Sequence, residues 1–130
     1  MCCLNLALND GSLDANYFQH RPYLDRLIWT EKCHLVGLAN IHLEPLRFYS
    51  QKITDIKNLK KGSVIAVQND PSNQGRALIL LHKQGIIALK DPSNLYATEF
   101  DIVKNPYNIK IKPLEAALLP KVLGDWMGLL

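Results

Sequence analysis

Apolar residues recur along this chain at two different periods, and the changes of period outline its elements. Leu4, Leu6 and Leu8 alternate with Cys3, Asn5 and Ala7 before the turn formers Asn9, Asp10 and Gly11, a period of two that predicts a short opening strand. Over residues 16–32, Phe18, Tyr23, Leu24, Leu27 and Ile28 fall at helical spacing. Pro22 suits the first turn of that helix, where a missing N–H costs nothing. Residues 34–40 and 46–50 cluster apolar side chains with β-branched or aromatic members between polar flanks, which predicts two short strands. Residues 54–59 resemble a short capped helical turn.

Gly62 then opens Ser63-Val-Ile-Ala-Val67, the clearest buried strand in the sequence. It runs into Gln68-Asn-Asp-Pro-Ser-Asn73, a cluster of turn formers, and residues 75–84 read as a helix stopped by Gly85. Residues 86–89 form a short strand or turn, 90–97 a loop, and 99–103 a helical turn before Asn105-Pro106. Ile109 and Ile111 mark one more strand. Residues 114–123 read as a helix that Pro120 would cap or kink. The tail presents Trp126, Met127, Leu129 and Leu130 with no strand or cap following, as if a strand of the fold were cut away or replaced.

Strands alternating with helices predict an α/β layer architecture around a mixed or parallel sheet. At 130 residues the chain suits one domain with a modest core. Hydrophobic residues at 48% and charged residues at 21% are ordinary for a globular protein and argue against disorder or a coiled coil. The net charge of +3 comes from basic residues scattered along the chain apart from Lys57, Lys60 and Lys61, a solvated surface and not a nucleic-acid footprint. No internal repeat, low-complexity stretch, export signal or membrane-spanning run is evident. As written, the chain reads as unexported and cytoplasmic.

Two constellations carry candidate chemistry. The first is Asn69-Asp-Pro-Ser-Asn-Gln-Gly-Arg76, between the buried strand and a helix start. Helix N-terminal amides attract an anion, and Arg76 would add a bidentate fork suited to a carboxylate. The plainer alternative is that Ser72 or Asn73 caps the helix and Arg76 is a surface residue. The second is Asn16-Tyr-Phe-Gln-His20, whose aromatic faces could pack around a thioether or another apolar group. There the alternative is that Phe18 is core and His20 a satisfied or capping histidine. Catalytic material is weak: no nucleophile elbow, no HExxH and no dinucleotide fingerprint occurs. Cys2, Cys3, Cys33, His20, His34, His42 and His82 lack metal-ligand spacing, so neither metal nor cofactor is expected. Cys33 and His34 are adjacent, which generally turns their side chains to different faces and disfavours a nucleophile–base pair.

Four blocks in order, Leu13-Asp-Ala-Asn-Tyr-Phe-Gln-His20, Glu44-Pro-Leu-Arg-Phe-Tyr-Ser50, Asn69-Asp-Pro-Ser-Asn-Gln-Gly-Arg-Ala-Leu78 and Asp101-Ile-Val-Lys-Asn-Pro106, closely resemble the NlpA family of methionine-binding lipoproteins. The resemblance implies a periplasmic-binding-protein fold of two α/β lobes, here one complete lobe plus the middle part of the other. Residues 1–49 would belong to lobe one, 50–115 to lobe two, and 116–130 would begin the return. By the family pattern Arg76 would pair with the ligand carboxylate, Asn73 would shape that pocket, and Tyr17, Phe18 and His20 would line the side-chain end. L-Methionine or a similar amino acid is the implied ligand and an ABC permease the implied partner, reached by capture and lobe closure without covalent chemistry. The family is lipid-anchored on the periplasmic side, whereas Cys2 and Cys3 lack the apolar run of a lipobox. The expectation is therefore a fragment, truncated at both ends, that binds methionine weakly or not at all. Other readings are an interaction fragment associating through unpaired strands and, further off, an α/β hydrolase or transferase.

Overall fold

Alternation within one short strand sets the two faces of the main sheet. In β1 (Val64–Gln68), Ile65 and Val67 point to one side and Ala66 to the other, as successive side chains of a strand must, and all three are buried. The computed structural model describes residues 2–124 and 128–129. Within it the chain divides into two compact units, Met1–Leu43 and Glu44–Leu130.

In the second unit β1 is the central strand of a three-stranded parallel sheet, flanked by β4 (Lys110–Leu114) and β5 (Gly128–Leu129). Ile65 stands opposite Ile111 in β4 and opposite Gly128 in β5. The helix α3 (Pro71–Lys83) follows β1 directly and lays Ala77, Leu78 and Leu81 onto the Ile65 and Val67 face, where Leu59, Ile86, Ile87, Leu89, Ala97 and Ile109 complete the main core. On the opposite face Ala66 meets Leu119, with Leu114 and Leu123 alongside. A separate antiparallel pair joins β2 (Ala88–Leu89) to β3 (Ile102–Lys104).

Buried apolar sequence is thus assigned as its pattern predicts, with small shifts in bounds. The helical turn expected near residues 54–59 forms at Ile56–Asn58, and Asp55 caps it by accepting from the Lys57 amide at 2.9 Å. The turn expected over residues 99–103 covers Glu99–Asp101 before the chain straightens into β3. Gly85 ends α3 with φ +72, a left-handed conformation that favours glycine.

Four expectations are corrected. The opening segment is a helix, α1 (Cys2–Asn9), and not a strand. A short apolar run does not distinguish the two periods, and the helix is favoured because it turns Asn5 inward. There Asn5 is fully buried, exchanging bonds with Gln19 in both directions at 2.8 and 2.9 Å and accepting from Asn16 Nδ2 at 3.0 Å. Residues 34–40 form no strand, and residues 46–50 contribute only a single bridge, at Tyr49. Residues 116–122 form a 3₁₀ helix and not an α-helix, with Pro120 inside it. The tail is not wholly without a partner, since Gly128 and Leu129 pair with β1; Trp126, Met127 and Leu130 lie outside the described residues.

The first unit is built on α1 and α2 (Arg21–Glu31), whose Leu24 and Leu27 are buried, as is Cys33. Pro22 occupies the first turn of α2, as expected, and Lys32 ends it in the left-handed region at φ 52. The His34 amide donates to Asn9 Oδ1 at 2.8 Å, tying the chain after α2 back to the end of α1. The boundary between the units falls between residues 43 and 44. Residues 116–129 stay with the second unit through the β1–β5 pairing and the contact of Leu119 with Ala66.

Candidate functional site

The loop between β1 and α3 holds its shape through one carboxylate. Asp70 is the N-cap of α3, with Pro71 in the first turn. Its Oδ1 accepts from the Asn73 amide at 3.0 Å and from the Ser72 hydroxyl at 2.8 Å, and its Oδ2 accepts from Asn73 Nδ2 at 2.9 Å. That grip orients the Asn73 amide group, so its Oδ1 faces Arg76 and accepts from Nη1 at 3.0 Å. Arg76 Nη2 donates to the Glu44 carbonyl at 3.0 Å. The half-buried guanidinium is thus fixed at two nitrogens by neutral oxygens. Among the described residues no carboxylate pairs with its charge.

The helix-capping alternative is corrected in its details: the cap is Asp70, and neither Ser72 nor Asn73 supplies it. This also changes the electrostatic picture. Of the α3 N-terminal donors, Pro71 has none, the Asn73 amide is taken by Asp70 Oδ1, and the Gln74 amide donates to the Asp70 carbonyl at 2.9 Å. Positions 71 and 73 therefore offer no amide to an anion at this helix start. Arg76 is left as the principal cationic group there.

Gly75 explains how the following loop comes so close. A Cβ on it would lie 2.0 Å from the Leu95 carbonyl oxygen and 2.6 Å from its carbon, so residues 95–97 can rest against α3 only over a glycine. The requirement is one of contact and not of backbone conformation, since no unusual φ is involved.

Tyr17, Phe18 and His20 lie in the first unit, Asn73 and Arg76 in the second. Tyr17 is exposed, its hydroxyl hydrogen-bonded to His42 Nδ1 and its ring edge-on to that imidazole with centroids 5.7 Å apart. Phe18 is partly buried. His20 is the N-cap residue of α2, but its side chain makes no capping bond there; its ring lies 6.3 Å from that of Tyr23. Within the second unit the structure brings Asn73 and Arg76 into direct contact, and within the first unit it pairs Tyr17 with His42 and sets His20 beside Tyr23. Sequence reading missed Asp70, Glu44 and His42. Asp70 was legible, because Asp-Pro ahead of a helix is a cap followed by a first-turn proline. The Glu44 carbonyl and His42 carried no local signal, as both act across long sequence separations.

His82 is structural, its Nδ1 accepting from the Leu89 amide at 3.2 Å. Among the described residues no group of three His, Cys, Asp or Glu side chains could hold a metal ion, and no helix is long and apolar enough to cross a membrane.

A sequence profile of the NlpA lipoprotein family matches residues 2–129. The D-methionine-binding lipoprotein MetQ of Salmonella typhi is 50% identical over 121 residues, which cover 93% of this chain and 45% of that protein. Two solved structures are similarly near. A periplasmic substrate-binding protein of an ABC transporter from Coxiella burnetii matches with TM-score 0.90 at 46% identity, covering 96% of this chain and 52% of that one. A nutrient-binding protein from Burkholderia cenocepacia bound to methionine matches with TM-score 0.91 at 44% identity, covering 96% and 53%. The chain spans less than half the length of the curated relatives it matches, and its α/β fold is that of the periplasmic substrate-binding proteins over about half of their extent.

Proposed function

Since this chain belongs to the NlpA lipoprotein family, we propose that it serves amino-acid capture, with methionine the first ligand to test and Arg76 the receptor for its carboxylate. The observation that carries this reading is the Arg76 guanidinium, half-buried, oriented by Asn73 and the Glu44 carbonyl, and not paired with a protein carboxylate among the described residues. A cation fixed by neutral acceptors keeps its charge for an incoming anion and does not have to be reorganised when that anion arrives. Relatives named for methionine binding, and one solved with methionine bound, support methionine as the ligand of this reading. Tyr17, Phe18 and His20 are the residues proposed to receive the thioether side chain, for which aromatic faces are suited.

The activity is binding without covalent change, so the proposed role is that of an importer's substrate-binding protein and not of an enzyme. Relatives carry the names lipoprotein and ABC transporter component, which makes the cell envelope the proposed location and a membrane permease the proposed receiver. These 130 residues span less than half the length of the Salmonella typhi relative, so the binding expected of the chain by itself is weak.

The test is an NMR titration with L-methionine, D-methionine and methioninol, which lacks the carboxylate. Shifts of the Arg76 Nε resonance and of the first turn of α3 are expected with either methionine, with none for methioninol or in Arg76→Ala. Equal response to methioninol, or binding that survives Arg76→Ala unchanged, would remove the arginine from the reading.

A further inference from the structure

Lysines that stand apart in the sequence come together at one end of the main sheet. Residues 56–64 and 104–112 contain six lysines, Lys57, Lys60, Lys61, Lys104, Lys110 and Lys112, and no aspartate or glutamate. Backbone bonds join the two segments where β1 and β4 begin to pair: the Gly62 amide donates to the Tyr107 carbonyl at 2.9 Å, and the Lys110 amide to the Ser63 carbonyl at 2.9 Å. The Asn105 side chain closes the loop between Lys104 and Lys110, donating to the Ile109 carbonyl and accepting from the Ile109 amide, both at 2.9 Å. Buried Leu59, Ser63 and Ile109 anchor the backbone beneath. The core thus fixes where these lysines stand, and all six are exposed.

Their charges are uncompensated. Among the described residues none of the six makes an ion pair. The nearest carboxylates along the chain are engaged as caps, Asp55 by the Lys57 amide and Asp101 by the amide and hydroxyl of Thr98. Glu99 shares a recess with Ile109 and Ile111, and alternation along β4 puts Lys110 and Lys112 on the other face. Unpaired lysines cost too much to bury in protein, so this edge faces water or an anionic layer and not a protein core.

The chemistry of the cluster selects among anions. Ammonium groups act as strongly hydrated point charges, whereas compact phosphates and nucleic acids are gripped by guanidinium forks, backbone nests or aromatic platforms. The two segments hold no arginine, and their one aromatic residue, Tyr107, is half-buried. Point charges spread along a rigid edge suit a layer of headgroups, where attraction accumulates over many charges without a fixed contact geometry. Because β1 and β4 are parallel, the edge lies at their N-terminal ends, while the loop carrying Asn73 and Arg76 follows the C-terminal end of β1. We infer that the lysine edge of the second unit is a docking surface for an anionic phospholipid membrane, which leaves the loop before α3 at the end of the sheet away from the headgroups. Such docking rests on the envelope location proposed above but shares no residue with the ligand site, so either can fail alone.

The test is co-sedimentation of the full chain with vesicles of phosphatidylcholine alone and of phosphatidylcholine with phosphatidylglycerol at about three to one. Binding is expected to the anionic vesicles only, and raising sodium chloride from about 0.05 to about 0.3 M should lower it by about tenfold or more. Each lysine near an anionic leaflet contributes about fivefold, so Lys60→Gln with Lys110→Gln is expected to weaken binding by about tenfold or more. Arg21→Gln with Arg26→Gln removes the same charge at exposed positions of the first unit and should leave binding within about twofold. Inorganic phosphate at matched ionic strength should not compete, and a DNA duplex should bind less tightly than the vesicles. The salt and lipid dependence is read on the unsubstituted chain and does not depend on how the variants fold. Absence of binding to the anionic vesicles, equal binding to the neutral ones, equal losses in the two double variants, displacement by inorganic phosphate, or tighter binding to the duplex would each overturn the docking surface.

Discussion

Replacing Gly75 by alanine sets two effects of opposite sign against each other. Helix propensity alone predicts a gain, since alanine is better than glycine inside a helix by about 1 kcal/mol. The packing predicts a loss. An added Cβ would sit 2.0 Å from the Leu95 oxygen, 2.6 Å from the Leu95 carbon and 3.1 Å from the Ala97 nitrogen, all backbone atoms that no side-chain rotation can move aside. Relief requires residues 95–97 to retreat by about 1 Å or more to reach ordinary van der Waals contact. That retreat would disturb the Ala97 amide's bond to the Asn94 carbonyl at 3.2 Å and lift buried Ala97 from the main core. Overpacking of this type costs about 1–3 kcal/mol, and the rigidity of the opposing backbone puts this site at the upper end. Net destabilisation of about 2 kcal/mol follows once the propensity gain is subtracted. In urea, monitored by circular dichroism, the midpoint should fall by about 1 M for a slope of about 2 kcal/mol per molar. An unchanged or higher midpoint would mean that the loop yields freely and that the close approach does not determine the residue.

Two further outcomes follow from the side-chain geometry. Asp70→Ala removes the cap of α3 together with the bonds to Ser72 and Asn73, so a loss of about 1–2 kcal/mol is expected, with Asp70→Asn, which keeps one acceptor oxygen, losing less; an Asp70→Ala midpoint in urea unfolding equal to that of the unsubstituted chain would show that the carboxylate is not the anchor of this loop. Asp91 accepts from the hydroxyl and then the amide of Ser93, bonds that hold its carboxyl below the usual 3.8, as Ser12 does for Asp10. A lowered carboxyl value means that the folded state favours the ionised form, so this contribution is present above the ordinary value and is lost as pH falls through the depressed one. Carboxyl carbon titration by NMR should show the Asp91 midpoint rising toward 3.8 in Ser93→Ala, and a midpoint that does not move would reject the hydroxyl as its cause.

The amino-acid sequence by itself determined the strand–loop–helix unit at the centre of the second unit. Its apolar run at 64–67, its Asn-Asp-Pro turn and the helix stopped by Gly85 are local signals, each complete within a few residues, and the contact of Asn73 with Arg76 lies within one helical turn. Family membership was legible for a similar reason, through short blocks in a fixed order. Tertiary structure alone decided what depends on partners distant in sequence. The opening segment is helical because Asn5 finds Gln19 and Asn16, a satisfied buried amide cluster that outweighs the alternation of three leucines. Gly75 is required by a loop twenty residues away, and Arg76 is held in part by the carbonyl of Glu44. Residues 34–40 show the reverse case. They carry a strand's pattern but form no strand, because backbone pairing needs a neighbour in space that a pattern along the chain cannot provide.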